Sequence, residues 1–167
     1  MVDDAVALKD IAHWNKVDSF IAAARRLTGR PYTPGEDGSL WAIDCIHVVI
    51  YSLKHIGYLP RAFRAPLYPD CGSPRLFDEH MPVWLDEVPK ETMAYGDVVV
   101  LYDHIPPHVQ GVQPCPRHCG ILTVDKGNGH WMWLGVNYLP EPNHPVVQEM
   151  SFNKKAQERI YKVYRLR

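Results

Sequence analysis

The stretch that decides the fold is IDCIHVVI, residues 43–50, which places a cysteine on the first turn of a helix. From Ile46 onward, apolar residues recur at the three- and four-residue spacing of a helix with one buried face, and Gly57 supplies a stop. Asp44 is the natural N-cap, and Cys45 follows it directly. The unpaired N–H groups and aligned peptide dipoles at a helix start favour an anion, so they lower the pKa of a thiol there. Cys45 is therefore a candidate nucleophile.

A cysteine nucleophile also needs a base and a third group that orients the base. His118 opens a short apolar run typical of a strand, which is followed by a turn at 125–129 and a second strand-like run from His130. A histidine on the first rung of a hairpin is held rigidly, as a general base must be. We predict that His118 is the base for Cys45. The alternative stays open that Cys45 packs as a small core residue, because free cysteine is among the most buried residue types.

Length and charge narrow the class of protein. The 167 residues suit a single domain over 1–167, and the formal net charge of -1 gives no basic field, so we expect no nucleic-acid partner. No apolar run is long enough to span a membrane. The N-terminus lacks the basic start and apolar core of a secretory signal. We expect synthesis in the cytoplasm without a signal peptide, with delivery to the cell envelope by another machine as a further option.

The chain is too large and too rich in core residues to be a disulfide scaffold, so we expect reduced thiols. Its four cysteines are Cys45, Cys71, Cys115 and Cys119. Cys115, His118 and Cys119, with Cys71 or His108 as a further ligand, form the alternative of a zinc site. Because their spacing lacks the paired short pattern of structural zinc sites, we predict no metal and no cofactor.

The predicted elements indicate an α+β domain. The spacing predicts a first helix from Asn15 to Gly29, and the recurrent prolines of 59–89 predict an irregular cover or insertion. Five strand-like runs follow, at 98–102, 120–124, 130–136, 146–152 and 160–166. Helices first and strands afterwards predict N-terminal helices packed on an antiparallel sheet of about five strands.

Four sequence blocks carry a resemblance to a known family. Gly29-Arg30-Pro31-Tyr32 resembles a Gly-x-Pro-Tyr block, and residues 43–45 end in an Asp-Cys pair that opens a helix. Residues 94–99 contain a Gly-Asp-hydrophobic strand start, and residues 118–121 read His-x-Gly-Ile. In this order the blocks resemble the NlpC family of papain-like cysteine peptidases, which have a permuted papain fold and act mostly on bacterial cell-wall peptides. The chain is also similar to the tail-associated cell-wall peptidases of phages and gene transfer agents.

The resemblance implies that Cys45 is the nucleophile, that His118 is the base and that Tyr32 lines the site. It implies hydrolysis of amide bonds in peptidoglycan stem peptides, with a phage tail or secretion apparatus as the delivering partner. Two alternatives remain. The same architecture serves acyltransferases, thioesterases and deconjugating peptidases, and a catalytically decayed chain would act as a structural or binding module of a tail or secretion complex.

The chain also departs from the family pattern. Ile46 and His47 stand where the family usually has serine and glycine, so His47 crowds the site or joins it, and we place it with Asp44 and Tyr32 among the substrate-binding residues. The family's third catalytic residue should fall near residues 133 and 134, where this chain has no polar side chain. Asn137 is the nearest amide and His130 the nearest imidazole, and these two are competing predictions for the third catalytic residue.

Overall fold

The computed structural model describes residues 4–33, 43–65, 76–102, 111, 116–124, 130–138 and 145–167, apart from the side chains of 4–9, 117, 137 and 138. This part of the chain contains four α-helices, namely α1 (Asp4–Arg25), α2 (Cys45–His55), α3 (Met81–Trp84) and α4 (Lys154–Gln157). A π-helical turn at Leu76–His80 leads into α3, and a 3-10 turn covers Lys90–Thr92. None of the helices described combines the length and hydropathy that a membrane crossing requires.

Within the described residues, six strands form one antiparallel sheet. They are β1 (Asp86–Val88), β2 (Val98–Tyr102), β3 (Pro116–Val124), β4 (Trp131–Tyr138), β5 (Pro145–Ser151) and β6 (Ile160–Arg165), in the spatial order β1-β6-β2-β3-β4-β5. Each neighbouring pair is antiparallel. The α+β class is confirmed, and the sheet has one strand more than expected. The described part of 59–89 is more regular than predicted, because it holds α3 and β1; residues 66–75 of that stretch lie outside the described residues.

The predicted start of the first helix is wrong. Asn15 is not a cap but lies inside α1, which begins at Asp4. The apolar pattern was misleading because the large apolar side chains described just before Asn15 are exposed: Ile11 is 57% and Trp14 is 48% exposed. A helix segment without a buried face shows no apolar periodicity, although its residues have good helix propensity. The helical turns end at Gly29, whose φ of 86° only glycine adopts readily and whose N–H donates to the carbonyl of Val147.

The prediction for α2 is confirmed. Asp44 is its N-cap, and its side chain accepts from the backbone N–H of His47. The helix ends at His55, just before Gly57, which has a φ of 73°. α2 packs beside α1 and covers β3 and β4, with Ile46, Val49 and Leu53 in the main core. A smaller core lies on the other face of the sheet and contains Val99, Leu101, Leu122, Trp133 and Phe152.

Backbone bridges fix where the chain enters α2. Tyr32 donates its N–H to the carbonyl of Pro145 at the start of β5 and forms a parallel bridge with Ile43, two residues before Cys45. β4 ends opposite this point, since Tyr138 pairs with Pro145. β3 is antiparallel to β4, so its first residues lie at the same end. The starts of α2 and β3 therefore share one end of the sheet.

Candidate active site

The start of α2 holds a buried polar cluster. Cys45 is a reduced cysteine and only 1% exposed. The Asp44 carboxylate beside it is completely buried, and one of its oxygens, Oδ1, lies 2.9 Å from the backbone nitrogen and 2.7 Å from Nδ1 of His47. Both nitrogens donate, because an ionised carboxylate only accepts. The structure thus brings Asp44 and His47 together beside Cys45, and it makes His47 part of the helix cap.

Tyr32 lies close to this cluster along the backbone. It is partly buried against the main core and is joined to Ile43 by the parallel bridge. The N–H of Ile43 donates to the carbonyl of Pro31 at 3.0 Å. The Gly-x-Pro-Tyr segment and the Asp-Cys segment therefore pack side by side. Two blocks that are separated in the sequence by residues 33–42 meet at the start of α2.

His118 lies near the start of β3, but its ring is on the far face of the sheet from α2. Side chains alternate along a strand, so His118 shares a face with Leu122, while Cys119 shares a face with Ile121. Cys119 and Ile121 belong to the main core that contains α2, whereas Leu122 belongs to the smaller core. The His118 ring accordingly packs edge-on against Trp133 of the smaller core, with 5.0 Å between ring centroids.

The structure thus places Cys45 and His118 at one end of the sheet and on different faces of it. Their pairing remains a prediction.

The surroundings of His118 lower its pKa from 6.5 to about 4. Burial of the ring is the main cause, because it disfavours the charged form, and the positive charge of Arg159 adds to the effect. A hydrogen bond with the backbone of Val136 acts in the opposite direction. His118 is therefore a neutral imidazole at neutral pH. Sequence reasoning missed Arg159, which is 41 positions away and carries no local signal, and whose guanidinium donates twice to the carbonyl of Tyr102.

The pairing of β3 with β4 distinguishes the two candidates for the third catalytic residue, Asn137 and His130. β3 and β4 pair Gly120 with Gly135, and the same register, continued by two residues, brings Asn137 opposite His118. The side chain of Asn137 lies outside the described residues. His130 precedes β4 at the other end of the hairpin and is exposed. The register favours Asn137 over His130 as the neighbour of His118.

The zinc alternative finds no support in the part of the chain that is described. Cys71, His108 and Cys115 lie outside it. His118 and Cys119 are neighbours on one strand and point to opposite faces, so they do not converge on one ion. Over the described ranges there is no group of three or more His, Cys, Asp or Glu side chains that would hold a metal.

The low pKa of His118 makes stability depend on pH. In the unfolded chain the His118 ring binds a proton near pH 6.5, whereas in the folded chain the ring binds it only near pH 4. Between these values the unfolded state holds more protons, so the free energy of unfolding falls as the pH drops from 6.5 to 4. Allowing for the partial exposure of the ring, we expect His118 to contribute about 2 kcal/mol to this loss.

Urea denaturation at pH 7 and pH 4 measures this contribution. A His118→Gln variant is expected to lose about 2 kcal/mol less than the wild type between the two pH values. The carboxyl groups titrate in both proteins, so their share cancels in the comparison. The same pH dependence in both proteins would show that the ring is not held in its neutral form.

Comparison with known proteins gives a fold but no sequence family. No protein-family model and no curated protein matches the sequence. The structure is similar to a crystal structure from Staphylococcus aureus subsp. aureus Mu50, described as similar to a lipoprotein of the NLP/P60 family, with a TM-score of 0.55 and 14% sequence identity. The match covers 91% of this chain and 41% of that one, so this chain spans about two fifths of the length of that protein. The likeness shows an α+β fold of the NLP/P60 kind.

Proposed function

We propose that this protein is a cysteine hydrolase that cleaves amide bonds in peptidoglycan stem peptides, with Cys45 as its nucleophile. One observation carries the proposal: within a fold shared with an NLP/P60 structure, Cys45 is the first residue of a helix capped by a buried carboxylate. The positive end of the helix dipole favours a thiolate at that position. Delivery to the cell wall by a phage tail or secretion apparatus is part of the proposal.

In the proposed reaction the sulfur of Cys45 attacks the carbonyl carbon of the amide. The thiol proton passes to His118, whose ring is neutral at neutral pH. The buried ring, with a pKa of about 4, is a weak base, so it has to leave its buried position before it accepts the proton. His118 then gives the proton to the leaving amine as the C–N bond breaks, and water hydrolyses the resulting thioester to a carboxylic acid and the free thiol. Backbone N–H groups at the start of α2, together with the Tyr32 hydroxyl, stabilise the oxyanion.

The positions of Cys45 and His118 set a requirement on this reaction. The shared end of the sheet supports their pairing, because it brings the starts of α2 and β3 to one region. The ring of His118 faces the smaller core, however. To meet the sulfur of Cys45, it must move from that face to the α2 face at the end of the sheet. A substrate must also displace the groups that now cover Cys45. Asn137, opposite His118 in the continued register, is the proposed third residue.

The test is a direct assay on the proposed substrate. Purified protein is incubated with peptidoglycan and with its soluble peptide-bearing fragments, and new amino groups are measured. Mass spectrometry identifies the bond that is cut. A sample pretreated with iodoacetamide, with alkylation located at Cys45 by peptide mapping, is the control. We expect amine release by the untreated protein alone; no release from any fragment by either sample would remove peptidoglycan as the substrate.

A second candidate function is a binding module without catalysis. Two observations favour it: Cys45 is only 1% exposed, and the His118 ring packs on Trp133 instead of facing α2. Such a module would sediment with insoluble peptidoglycan and release no amines. The rate of alkylation separates the two functions, because an activated Cys45 reacts with iodoacetamide faster at neutral pH than a free thiol does.

A further inference from the structure

The third residue of α2 is a histidine that bonds back to the cap. In the usual capping box this position holds Glu or Gln, whose side chain reaches back to the cap backbone. Here both the backbone N–H and the ring Nδ1 of His47 reach Oδ1 of Asp44, at 2.9 and 2.7 Å. His47 is 8% exposed and Asp44 is fully buried. The imidazole is therefore tied to the carboxylate inside the protein.

This bond affects Cys45 in two ways. Asp44 precedes Cys45 directly, so the position of its carboxylate fixes the first turn of the helix and the place of the thiol. The carboxylate is also an anion on the residue directly before the thiol, and a like charge at short range opposes formation of the thiolate. A ring N–H that donates to the carboxylate stabilises its charge and weakens its effect on a neighbouring group.

We propose that His47 is a positioning residue for Cys45: through its bond to Asp44 it holds the first turn of α2 and shields the thiol from the Asp44 charge. The inference rests on the proposed function, because it matters only if Cys45 acts as a nucleophile. It assigns to His47 a role other than substrate binding.

The test measures the rate at which iodoacetamide alkylates Cys45, quantified on the Cys45-containing peptide by mass spectrometry. We expect the His47→Ala variant to react about tenfold more slowly than the wild type at pH 7, which corresponds to a rise of about one unit in the thiol pKa. The difference is expected to narrow at pH 9, where the thiol ionises in both proteins. A merely structural role of His47 would not produce this pH profile.

Two variants of similar polarity keep the test decisive even if His47→Ala fails to fold. The amide nitrogen of Asn stands where Nδ1 stands in histidine, so His47→Asn retains a donor for Asp44 Oδ1, whereas the longer Gln carries its amide beyond that position. We expect the Asn variant to react at close to the wild-type rate and the Gln variant to react slowly. Equal rates for the Asn and Gln variants would overturn the inference.

Ser52→Ala is the matched control on the same helix. Ser52 is also buried, and its hydroxyl donates to the carbonyl of Val48 at 2.8 Å. Ser52 itself lies about two helical turns after Cys45. Replacing Ser52 by alanine removes one buried hydrogen bond of α2 and should leave the alkylation rate of Cys45 unchanged. If Cys45 reacts faster than a free thiol in the wild type and equally fast in the His47→Ala variant, the role of His47 is refuted and the proposed function stands. A wild-type Cys45 no faster than a free thiol would refute the proposed function and this inference with it.

Discussion

Replacement of Cys45 by alanine is expected to lower the release of amines from peptidoglycan fragments by at least about a thousandfold, to the background of the assay. The variant has no sulfur to form the acyl intermediate, so water would have to attack the amide directly. The substitution removes one buried atom at a helix start, and alanine has the highest helix propensity, so the fold is expected to persist. Initial rates of amine release at saturating enzyme, with circular dichroism to verify folding, measure the effect.

Cys119→Ala is the matched control for that experiment. Cys119 is likewise reduced and buried in the main core, and it lies next to His118 on β3. Its sulfur has no part in the proposed reaction, so we expect activity within a few-fold of the wild type. Equal loss in both variants would point to damage of the core instead of removal of the nucleophile. Full activity of Cys45→Ala would show that the reaction does not use this thiol.

The parts of the fold that sequence predicts are those that local forces decide. The Asp44 cap, the apolar spacing after it and the Gly57 stop all act within one helix, and the structure has α2 with that cap and that stop. The β-branched run at 98–102 is a strand for the same reason. β1 carries no such signal, because Asp86 and Glu87 are exposed and the three residues become a strand only by pairing with β6.

The site divides in the same way. Cys45 begins a helix and His118 lies near the start of a strand, and both facts follow from the nearby residues. The nearby residues do not determine the face of the sheet to which His118 points, because that face depends on the register of β3 and on which face α2 covers. The bond between Asp44 and His47 had a local signal, the three-residue spacing of a capping box, although with an uncommon partner. The lowering of the His118 pKa by Arg159 had no local sequence signal.

A large effect on stability is expected at the other end of the sheet, in the turn before β2. Asp97 is 1% exposed, and its two carboxylate oxygens accept from Nε and Nη2 of Arg165 on β6, each at 2.8 Å. Oδ2 also accepts from the backbone N–H of Ala94 at 2.7 Å. The Asp97→Ala variant removes the acceptor of that N–H and the carboxylate partner of Arg165, whose Nη2 retains only its bond to the carbonyl of Thr92. We expect its free energy of unfolding to fall by about 4 kcal/mol.

Asp86→Ala is the control, because Asp86 also bonds to an arginine, Arg167 at 2.7 Å, but at an exposed position where water screens the pair. Urea denaturation of both variants at pH 7 is expected to show a large loss for Asp97→Ala alone, and similar losses would contradict the argument. Val98, which follows Asp97, pairs with Ile121, three residues along β3 from His118. Folded Asp97→Ala protein should therefore alkylate Cys45 at the wild-type rate, since the turn supports the sheet without touching the start of α2.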